Sequence, residues 1–448
     1  MKKLVALLLA VMMLSVSVMA LAEVPEGYPE IVPEMIQAEP LTITIYDYWS
    51  GEGARAEEPT EEQQAQYDYR DWIEATYNVK VEQKQGGDWG TCAEEMINFT
   101  SAPDGSLRAY IIEPGKVGSL VANGVAASWG DYDFSAEKWN TFTLNAWKKG
   151  EEIYGVSTGA TEPRGCVYFN KRILEEAGID WNTIYDMQAN GTWTWAAFEE
   201  LLAKLHRDTD NDGIVDKYAM MSFSSHLLPA AVVSNGVGFV MVDENGKYYN
   251  AAESDAFLEA ANWVMDMVKK YEMAAPEGAE WNYFESAFIN GEVALQCHEE
   301  YFSGSLANME DDYGIVPLPK YDENQENYAV HFQANVGASM SVPSGNTEVV
   351  KISKVLEDIA YESYLHVMPA YTEIVLEGQS VRDEESIVSL NIIRNSYYSD
   401  LGFMLGNYNI AILTQMRQVV TNNQDCASML QKVMRVYTNA LKKVQSPE

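Results

Sequence analysis

The chain has 448 residues with 67 acidic and 30 basic side chains, which gives a formal net charge of −37. This length allows two or three domains with a large buried core, and the acidity makes nucleic acid and anionic lipid poor partners. The four cysteines are widely spaced without a C-x-x-C pair, so metal binding by cysteine is not supported, while one or two disulfides remain open. They are Cys92, Cys166, Cys297 and Cys426.

The first 22 residues predict a secretory signal peptide. Lys2 and Lys3 form a positive start, residues 4–19 form an apolar run, and the Ala-Leu-Ala segment at 20–22 is typical of a cleavage site. A buried N-terminal helix is the alternative. We therefore expect an exported protein, periplasmic or at the cell surface, that is cleaved after residue 22 and has no cysteine there for a lipid anchor.

Residues 23–40 contain four prolines among several glutamates and show neither helical nor strand periodicity. Such a segment predicts an extended leader or linker. Regular structure is expected from residue 41, where apolar and β-branched residues begin to alternate as in a strand.

Strands and helices then alternate along the chain. The predicted elements are a strand at 41–46, a helix with Tyr69, Trp72, Ile73 and Tyr77 on one face, a strand at 78–82, a helix at 91–100 and a strand at 107–112. This order predicts a mostly parallel sheet covered by helices, in which the loops at the carboxyl ends of the strands form a ligand crevice. Those loops carry Trp49, Ser50, Asp88, Trp89 and Glu113.

The α/β pattern restarts after residue 155. The predicted elements are a strand at 167–170, a helix at 171–178, a helix that begins at Thr194 as its N-cap, a strand at 218–223, a helix at 256–271 and a strand at 293–297. Trp193 and Trp195 flank that N-cap and are predicted to be structural and not ligand contacts, because tryptophan is highly buried on average.

An aspartate-rich turn between a helix and a strand resembles most of a calcium-binding loop. Its candidate ligands are Asp208, Asp210, Asp212, the carbonyl of Ile214, and Asp216. The last position of the loop should be a bidentate glutamate but is Ala219, and a strand replaces the second helix, so a calcium sensor is disfavoured. Two interpretations remain open: a calcium ion that fastens the turn, or a metal-free turn with its own hydrogen bonds.

The order of several segments resembles the family 1 extracellular solute-binding proteins, the maltose-binding-protein type that serves ABC sugar importers. The segments are "GEEIYGVST", "CVYFNKRILEEAGID", "GTWTWAAFEELLAKL", "ESAFINGEVALQCHEEYF", "DDYGIVPLPK" and "SYYSDLGFM". The resemblance extends over about residues 41–437.

This resemblance implies an α/β, two-lobed periplasmic-binding-protein type II fold with a ligand cleft between discontinuous lobes. The implied first lobe is 41–162 and 330–375, and the second is 163–329 and 376–448. The chain should cross between the lobes near Glu162–Gly165, Tyr328–Phe332 and Glu373–Arg382.

The resemblance also implies ligand-binding residues in the second lobe. They are Glu299, Glu300, Tyr301, Tyr397 and Tyr398. Flat aromatic faces stack on the C–H faces of sugar rings, and carboxylates bind sugar hydroxyls, so this set suits a carbohydrate.

Motifs for catalysis are incomplete. His298 begins a zinc-protease-like pattern, but Phe302 stands where its second histidine is needed. We therefore predict a monomeric, non-enzymatic receptor that needs no cofactor and delivers a carbohydrate, an oligosaccharide, to an ABC transporter permease. The alternatives are a secreted calcium-dependent glycan-degrading enzyme, which needs a facing carboxylate pair, and an adhesion or scaffold protein built on the aspartate loop.

Overall fold

Two four-stranded sheets, each accompanied by helices, organise the described part of the chain. The structure is a computed structural model. It describes residues 24–25, 28, 31–51, 55–59, 61–113, 116–130, 132–136, 138–158, 165–222, 224–245, 247–306, 308–332, 339–346, 381–399 and 425–445. The predicted signal peptide, residues 1–22, lies outside the described residues.

The elements follow in three stretches. The first contains β1 (Leu41–Asp47), α1 (Glu61–Tyr77), β2 (Val79–Gln85), α2 (Cys92–Ser101), β3 (Leu107–Ile112), α3 (Val117–Ala122), α4 (Thr141–Ala146), β4 (Lys148–Lys149) and β5 (Glu152–Ile153). The second contains β6 (Cys166–Asn170), α5 (Lys171–Glu176), α6 (Asn182–Ala189), α7 (Trp195–Leu205), β7 (Tyr218–Ser222), α8 (Ser224–Ser234), β8 (Val240–Val242), β9 (Tyr248–Asn250), α9 (Asp255–Tyr271), α10 (Tyr283–Ile289), β10 (Val293–His298), β11 (Tyr313–Pro317) and β12 (Val330–Phe332). The third contains β13 (Ser339–Ser341), α11 (Glu384–Asn395), β14 (Tyr397–Ser399) and α12 (Cys426–Gln445).

Among the described helices, none combines the length and hydropathy that a membrane span requires.

The first sheet has the strand order β13-β3-β1-β2. β1 runs parallel to both β2 and β3, as the strand–helix alternation predicts, while β13 returns antiparallel to β3. Ile43 and Ile45 of β1 are buried on one face, and Thr44 is buried on the other. Burial on both faces is typical of a central parallel strand between helical layers.

The predicted apolar face of α1 forms part of the first core. Tyr69, Trp72, Ile73 and Tyr77 are all buried in one cluster with the strand residue Ile43. Their spacing of three or four residues places them on one side of the helix, which explains why sequence periodicity was sufficient to identify them.

The described residues of the leader pack against α1. Met35 is buried in a short 3₁₀ turn, and the Val32 amide donates to the Tyr77 hydroxyl at 3.5 Å. The Tyr28 ring lies 4.9 Å from the Tyr69 ring. The prolines suppress periodicity in this segment, but the apolar side chains between them still gain free energy by burial against the helix.

The second sheet is mixed, with the order β11-β6-β10-β7. β6 is antiparallel to β10 and β11, whereas β10 and β7 are parallel. Gly314 of β11 lies against the Phe169 ring and the Tyr185 hydroxyl, and a Cβ at this position would overlap both. This close approach explains why the strand contains a glycine.

The start of α7 confirms the structural assignment of its tryptophans. Thr194 caps the helix, with its side-chain oxygen accepting a first-turn amide. Trp193 is fully buried and its indole N–H donates to the Pro317 carbonyl at 2.8 Å. Trp195 stacks on Trp263 with ring centroids 4.3 Å apart.

A buried ion pair attaches α11 to the second sheet. Lys171 Nζ lies 2.5 Å from Asp383 Oδ2, and the Tyr185 hydroxyl donates to the same carboxylate. Asp383 is also the N-cap of α11, since it accepts the Ser386 amide at 2.7 Å. Burial pushes the pKa of Asp383 upward, but the hydrogen bonds from Lys171 and Ser386 outweigh burial and hold it below its usual value.

Candidate functional site

Strand register identifies the sheet edges that are expected to border the predicted cleft. Ser339 of β13 pairs with Ile112, so the chain that returns to the first sheet enters at the carboxyl end of β3. Cys166 of β6 pairs with His298, so the chain that reaches the second sheet enters at the carboxyl end of β10. Each of these edges is therefore the end at which the chain enters the sheet after leaving the other sheet. We call the carboxyl ends of β1–β3 the first cleft edge and those of β7 and β10 the second cleft edge.

The crossings themselves are described only in part. Residues 162–164 of the first predicted crossing and 373–380 of the last lie outside the described residues. Residues 330–332 form β12, which pairs with β14. The precise lobe boundaries stay a prediction.

Two tryptophans are exposed on the first cleft edge. Trp49 follows β1 and is 53% exposed, and Trp89 follows β2 and is 40% exposed. The Tyr48 ring contacts both edge-on, at 4.7 Å from Trp49 and 5.1 Å from Trp89. Edge-to-face packing orients the indoles while leaving apolar surface open to a ligand.

Asp88 supports the turn that carries Trp89. Its Oδ1 accepts from the Gly90 amide at 2.9 Å, the Thr91 amide at 2.9 Å and the Thr91 hydroxyl at 2.8 Å. These bonds, led by the Thr91 hydroxyl, lower the pKa of Asp88 below its usual value. Gly87 precedes the turn with φ +94°, a conformation that favours glycine. Asp88 thus stabilises the turn itself, and its ligand role stays a prediction.

A surface depression of about 550 Å³ opens beside this turn. Its lining residues are Gly51, Gln85, Gly87, Asp88 and Thr91. It lies between the loops that follow β1 and β2, and its lining includes one predicted site residue, Asp88.

Glu113 lies next to the same turn. It follows β3 and is almost fully buried. Burial raises the pKa of the Cys92 thiol, a hydrogen bond from the Glu113 backbone opposes the rise, and the Glu113 charge adds to it, so Glu113 lies near Cys92. The Cys92 sulfur is in turn 3.7 Å from the Trp89 carbonyl oxygen. The fold therefore brings together the five residues predicted for the first lobe.

Glu299 and Glu300 follow β10 on the second cleft edge, and both are almost fully buried. The Tyr168 hydroxyl lies 3.1 Å from the Glu299 carbonyl oxygen and 2.8 Å from that of Glu300. Burial raises the pKa of the Cys166 thiol well above its usual value, and the charges of Glu300 and Glu299 add to the rise. The two glutamates therefore lie at the point where the chain enters the second sheet.

His298 fixes the start of this turn. It is buried, and its Nδ1 accepts the Glu299 amide at 2.6 Å. Its Nε2 lies 3.3 Å from Glu285 Oε1, and its ring stacks on Phe302 at 4.3 Å. With both nitrogens engaged, the imidazole acts as a structural link between the glutamates and α10.

Sequence reasoning missed Trp281, which is 77% exposed. Trp281 precedes α10. The first turn of α10 lies at the carboxyl end of β10, as shown by the distance of 5.4 Å between the ring centroids of Phe284 and His298. The Trp281 ring lies 6.4 Å from that of Phe284. A tryptophan in a polar loop was the available signal, but this loop reaches the sheet edge from the start of a helix and does not follow a strand.

The three predicted tyrosines lie in described backbone. Tyr301 is in the 3₁₀ helix Glu300–Leu306, and Tyr397 and Tyr398 are in β14, which pairs with β12. Their side chains lie outside the described residues, so their roles stay predictions.

Comparisons with known proteins identify the family and the fold. The sequence model of the family "Bacterial extracellular solute-binding protein" matches residues 51–354, more than half of the chain. This chain belongs to the bacterial extracellular solute-binding proteins. The family consists of binding proteins, so the prediction of a receptor is confirmed and the enzyme alternative is not supported.

Solved structures with the same two-lobed fold match nearly the whole chain. The GacH receptor of Streptomyces glaucescens is 17% identical, with TM-score 0.62, and the match covers 91% of this chain and 99% of that one. An ABC substrate-binding protein from Listeria monocytogenes is 13% identical, with TM-score 0.61 and coverage of 91% and 98%. UgpB from Mycobacterium tuberculosis is 14% identical, with TM-score 0.62 and coverage of 91% and 100%. No curated protein gives a significant sequence match.

In this solute-binding protein, the aspartate-rich turn connects α7 to β7. Carboxylate oxygens of Asp208, Asp210 and Asp216 lie within 4.8 Å of one another, a separation that one hard cation could bridge. The Asp212 carboxylate instead accepts the Ile214 amide at 2.7 Å. Three of the predicted ligands therefore converge in the structure, and Asp212 makes a local turn contact.

The turn also has hydrogen bonds that need no metal. Asp208 accepts the amides of Asn211 at 2.7 Å and Gly213 at 2.8 Å, and Asp216 accepts the amide and hydroxyl of Thr209 at 2.6 Å. Led by the Thr209 hydroxyl, these contacts lower the pKa of Asp216 below its usual value.

The sequel to the turn is a strand rather than a helix. Ala219, which stands at the last position of the calcium pattern, is buried in β7. The turn is thus a loop between one helix and one strand, without the paired helices of a calcium switch.

The four cysteines are buried free thiols. Cys166 and Cys297 come from neighbouring strands but pack into different apolar clusters of the second lobe. A disulfide between them would require the two side chains to reach one face of the sheet.

Proposed function

We propose that this protein is a receptor that captures a neutral carbohydrate, an oligosaccharide, and delivers it to the membrane permease of an ABC transporter. One observation carries the proposal: both cleft edges combine exposed tryptophans with glutamates that follow their strands. Trp49 and Trp89 lie on the edge that carries Glu113. Trp281 precedes α10, whose Phe284 ring contacts His298, the residue before Glu299 and Glu300.

Sugar rings match this combination of groups. Their C–H faces are apolar and stack on indole, whereas their hydroxyls donate hydrogen bonds to carboxylates. Carboxylates at both edges repel anionic ligands, because like charges brought together in a partly dehydrated cleft interact strongly. Three separate tryptophans offer room for more than one ring, which favours an oligosaccharide over a monosaccharide.

The relatives' ligands support this assignment. The GacH receptor was solved in complex with acarbose, and the Listeria protein in complex with cycloalternan. UgpB was solved in complex with glycerophosphocholine, so the same fold also binds a phosphodiester. The acidic edges of the present protein favour a neutral sugar over a phosphodiester.

Transport would follow from lobe closure. The ligand binds one edge of the open form, and closure brings the other edge to its opposite face and buries the rings. The closed form would then be the state that the permease recognises. Such a receptor works outside the cytoplasmic membrane, in a periplasm or at the cell surface, as a monomer.

A titration series tests the proposal. The protein without residues 1–22 is titrated with neutral gluco- and manno-oligosaccharides and with glycerophosphocholine, using calorimetry, and reducing-sugar release is followed in parallel. We expect saturable binding of an oligosaccharide without turnover. Release of reducing sugar, or binding of glycerophosphocholine alone, would overturn it.

We also propose that a calcium ion fastens the turn between α7 and β7, held by Asp208, Asp210 and Asp216. The convergence of three carboxylates supports this assignment, because unneutralised charges at such distances repel each other. The ion would stabilise the second lobe and take no part in ligand binding.

A further inference from the structure

Asp47, at the carboxyl end of β1, is fully buried and organises the loop that follows. Its Oδ1 accepts from the Trp49 amide at 3.0 Å, the Ser50 amide at 2.9 Å and the Ser50 hydroxyl at 2.9 Å. Its Oδ2 accepts the Gln83 side-chain amide at 2.6 Å. Four donors thus compensate a carboxylate that would otherwise be costly to bury.

Backbone contacts complete the restraint on this loop. The Gly86 amide donates to the Asp47 carbonyl at 2.7 Å, and the Gln85 amide donates to the Gly51 carbonyl at 2.8 Å. The loop is therefore tied to β2 at both of its ends and to Asp47 in its middle. Trp49 is left more than half exposed on a rigid base.

We propose that Asp47 is a positioning residue that orients Trp49 and fixes Ser50 as a hydrogen-bond acceptor, so that the first cleft edge selects ligand groups that donate hydrogen bonds. This inference rests on the proposed function and deepens it. The ligand class that it specifies is a neutral polyol, whose hydroxyls can donate, as opposed to a phosphate or carboxylate, whose oxygens can only accept.

The chemistry follows from the single proton of a serine hydroxyl. Ser50 directs that proton to Asp47 Oδ1, so lone pairs are all that its oxygen can offer a ligand. Asp88 and Glu113, which share this edge, are acceptors when ionised. An anionic oxygen at this position would face lone pairs and a buried negative charge, whereas a sugar hydroxyl would donate into them.

Two substitutions separate positioning from general stability. In Asp47→Asn, the side-chain carbonyl can still accept from Trp49 and Ser50, and Gln83 can turn its amide to face the new N–H₂ group. In Asp47→Ala, all four side-chain hydrogen bonds are lost. The matched control is Asp104→Ala, because Asp104 accepts the Ser106 amide and hydroxyl in a similar turn that precedes β3, at the opposite end of the strands.

The first measurement is hydrogen exchange of the Trp49 and Ser50 amides in the ligand-free protein, and the second is the Kd for the best oligosaccharide. We expect Asp47→Ala to speed exchange of both amides and to weaken binding by about tenfold or more, since several hydrogen bonds position the loop. Asp47→Asn should restore slow exchange and most of the affinity, and Asp104→Ala should match the unaltered protein in both.

The exchange measurement needs no ligand, so it distinguishes this inference from the proposed function. If no oligosaccharide binds but Asp47→Ala still speeds exchange, the ligand assignment fails and the positioning role holds. Unchanged exchange in Asp47→Ala overturns the positioning role, and so does an affinity loss that Asp47→Asn does not rescue.

Discussion

Cys166 and His298 lie opposite each other in the second sheet, and the Cys166 thiol approaches the His298 carbonyl oxygen at 3.4 Å. Because Cys166 is the first residue of β6, this pairing places the Glu299–Glu300 turn at the edge where the chain enters the second sheet. The second-edge glutamates therefore lie beside the crossing that the sequence predicts near residues 162–165.

Removal of an exposed indole from the first edge should weaken binding. We expect Trp49→Ala to reduce the binding free energy by about 1–3 kcal/mol, since the stacking surface for a sugar ring is lost. Tyr301→Ala carries the same expectation. The control is Tyr249→Ala, which removes a 43% exposed aromatic from the β8–β9 hairpin. The affinities of the variants for one oligosaccharide are measured by calorimetry. Equal affinity of Trp49→Ala and the control would show that Trp49 does not contact the ligand.

Trp281 should determine how the affinity depends on the length of the oligosaccharide. We expect Trp281→Ala to weaken binding of longer oligosaccharides more than that of disaccharides, because a platform on the second edge serves rings beyond those held by Trp49 and Trp89. Trp281→Phe, which keeps a flat aromatic face, should retain most of the affinity. A uniform effect across chain lengths, or none, would contradict a separate platform.

Calcium should stabilise the second lobe through the aspartate turn. At a free calcium concentration of about 100 times Kd, a bound ion adds roughly 2.7 kcal/mol to the free energy of unfolding. Chelation should therefore lower Tm, and Asp216→Asn should abolish the response. Asp243→Asn is the control, since Asp243 accepts the Asn245 and Lys247 amides in an acidic turn of its own. If neither calcium nor chelator changes Tm, the turn binds no metal and the metal-free interpretation is correct.

The Lys171–Asp383 pair should make stability depend on acid pH. The folded pKa of Asp383 is lowered, so its contribution is present above the unfolded pKa of about 3.9 and is lost as pH falls through the folded value. Asp383→Asn should cost about 3 kcal/mol at neutral pH, because it leaves a buried lysine without its partner. That difference should disappear at strongly acid pH in urea unfolding.

The exposed pair of Lys204 and Glu200 provides the comparison. Glu200→Gln should change the free energy of unfolding little at any pH, because solvent screens exposed pairs. If Asp383→Asn behaves in the same way, the buried pair does not attach α11 as the geometry suggests.

Local features of the sequence were sufficient for most of the element order. The helix expected at 91–100 is Cys92–Ser101, and the strand expected at 107–112 is Leu107–Ile112. Thr194 caps its helix as predicted. These features depend on residues within one or two turns of each other, so periodicity and capping chemistry record them directly. The packing of the leader on α1 could not be read from its sequence, because its apolar residues have no period of their own.

The sequence by itself determined the α/β class, the strand-end loops of the first lobe and the acidic turn, because each follows from neighbours along the chain. The tertiary structure decided which of these groups meet. It turned Asp212 toward an amide while Asp208, Asp210 and Asp216 converged, and it placed Trp281 beside the second edge. It also buried Asp47 under the Trp49 loop. Such relationships depend on strand register and on packing between segments far apart in the chain, and local periodicity contains no record of either.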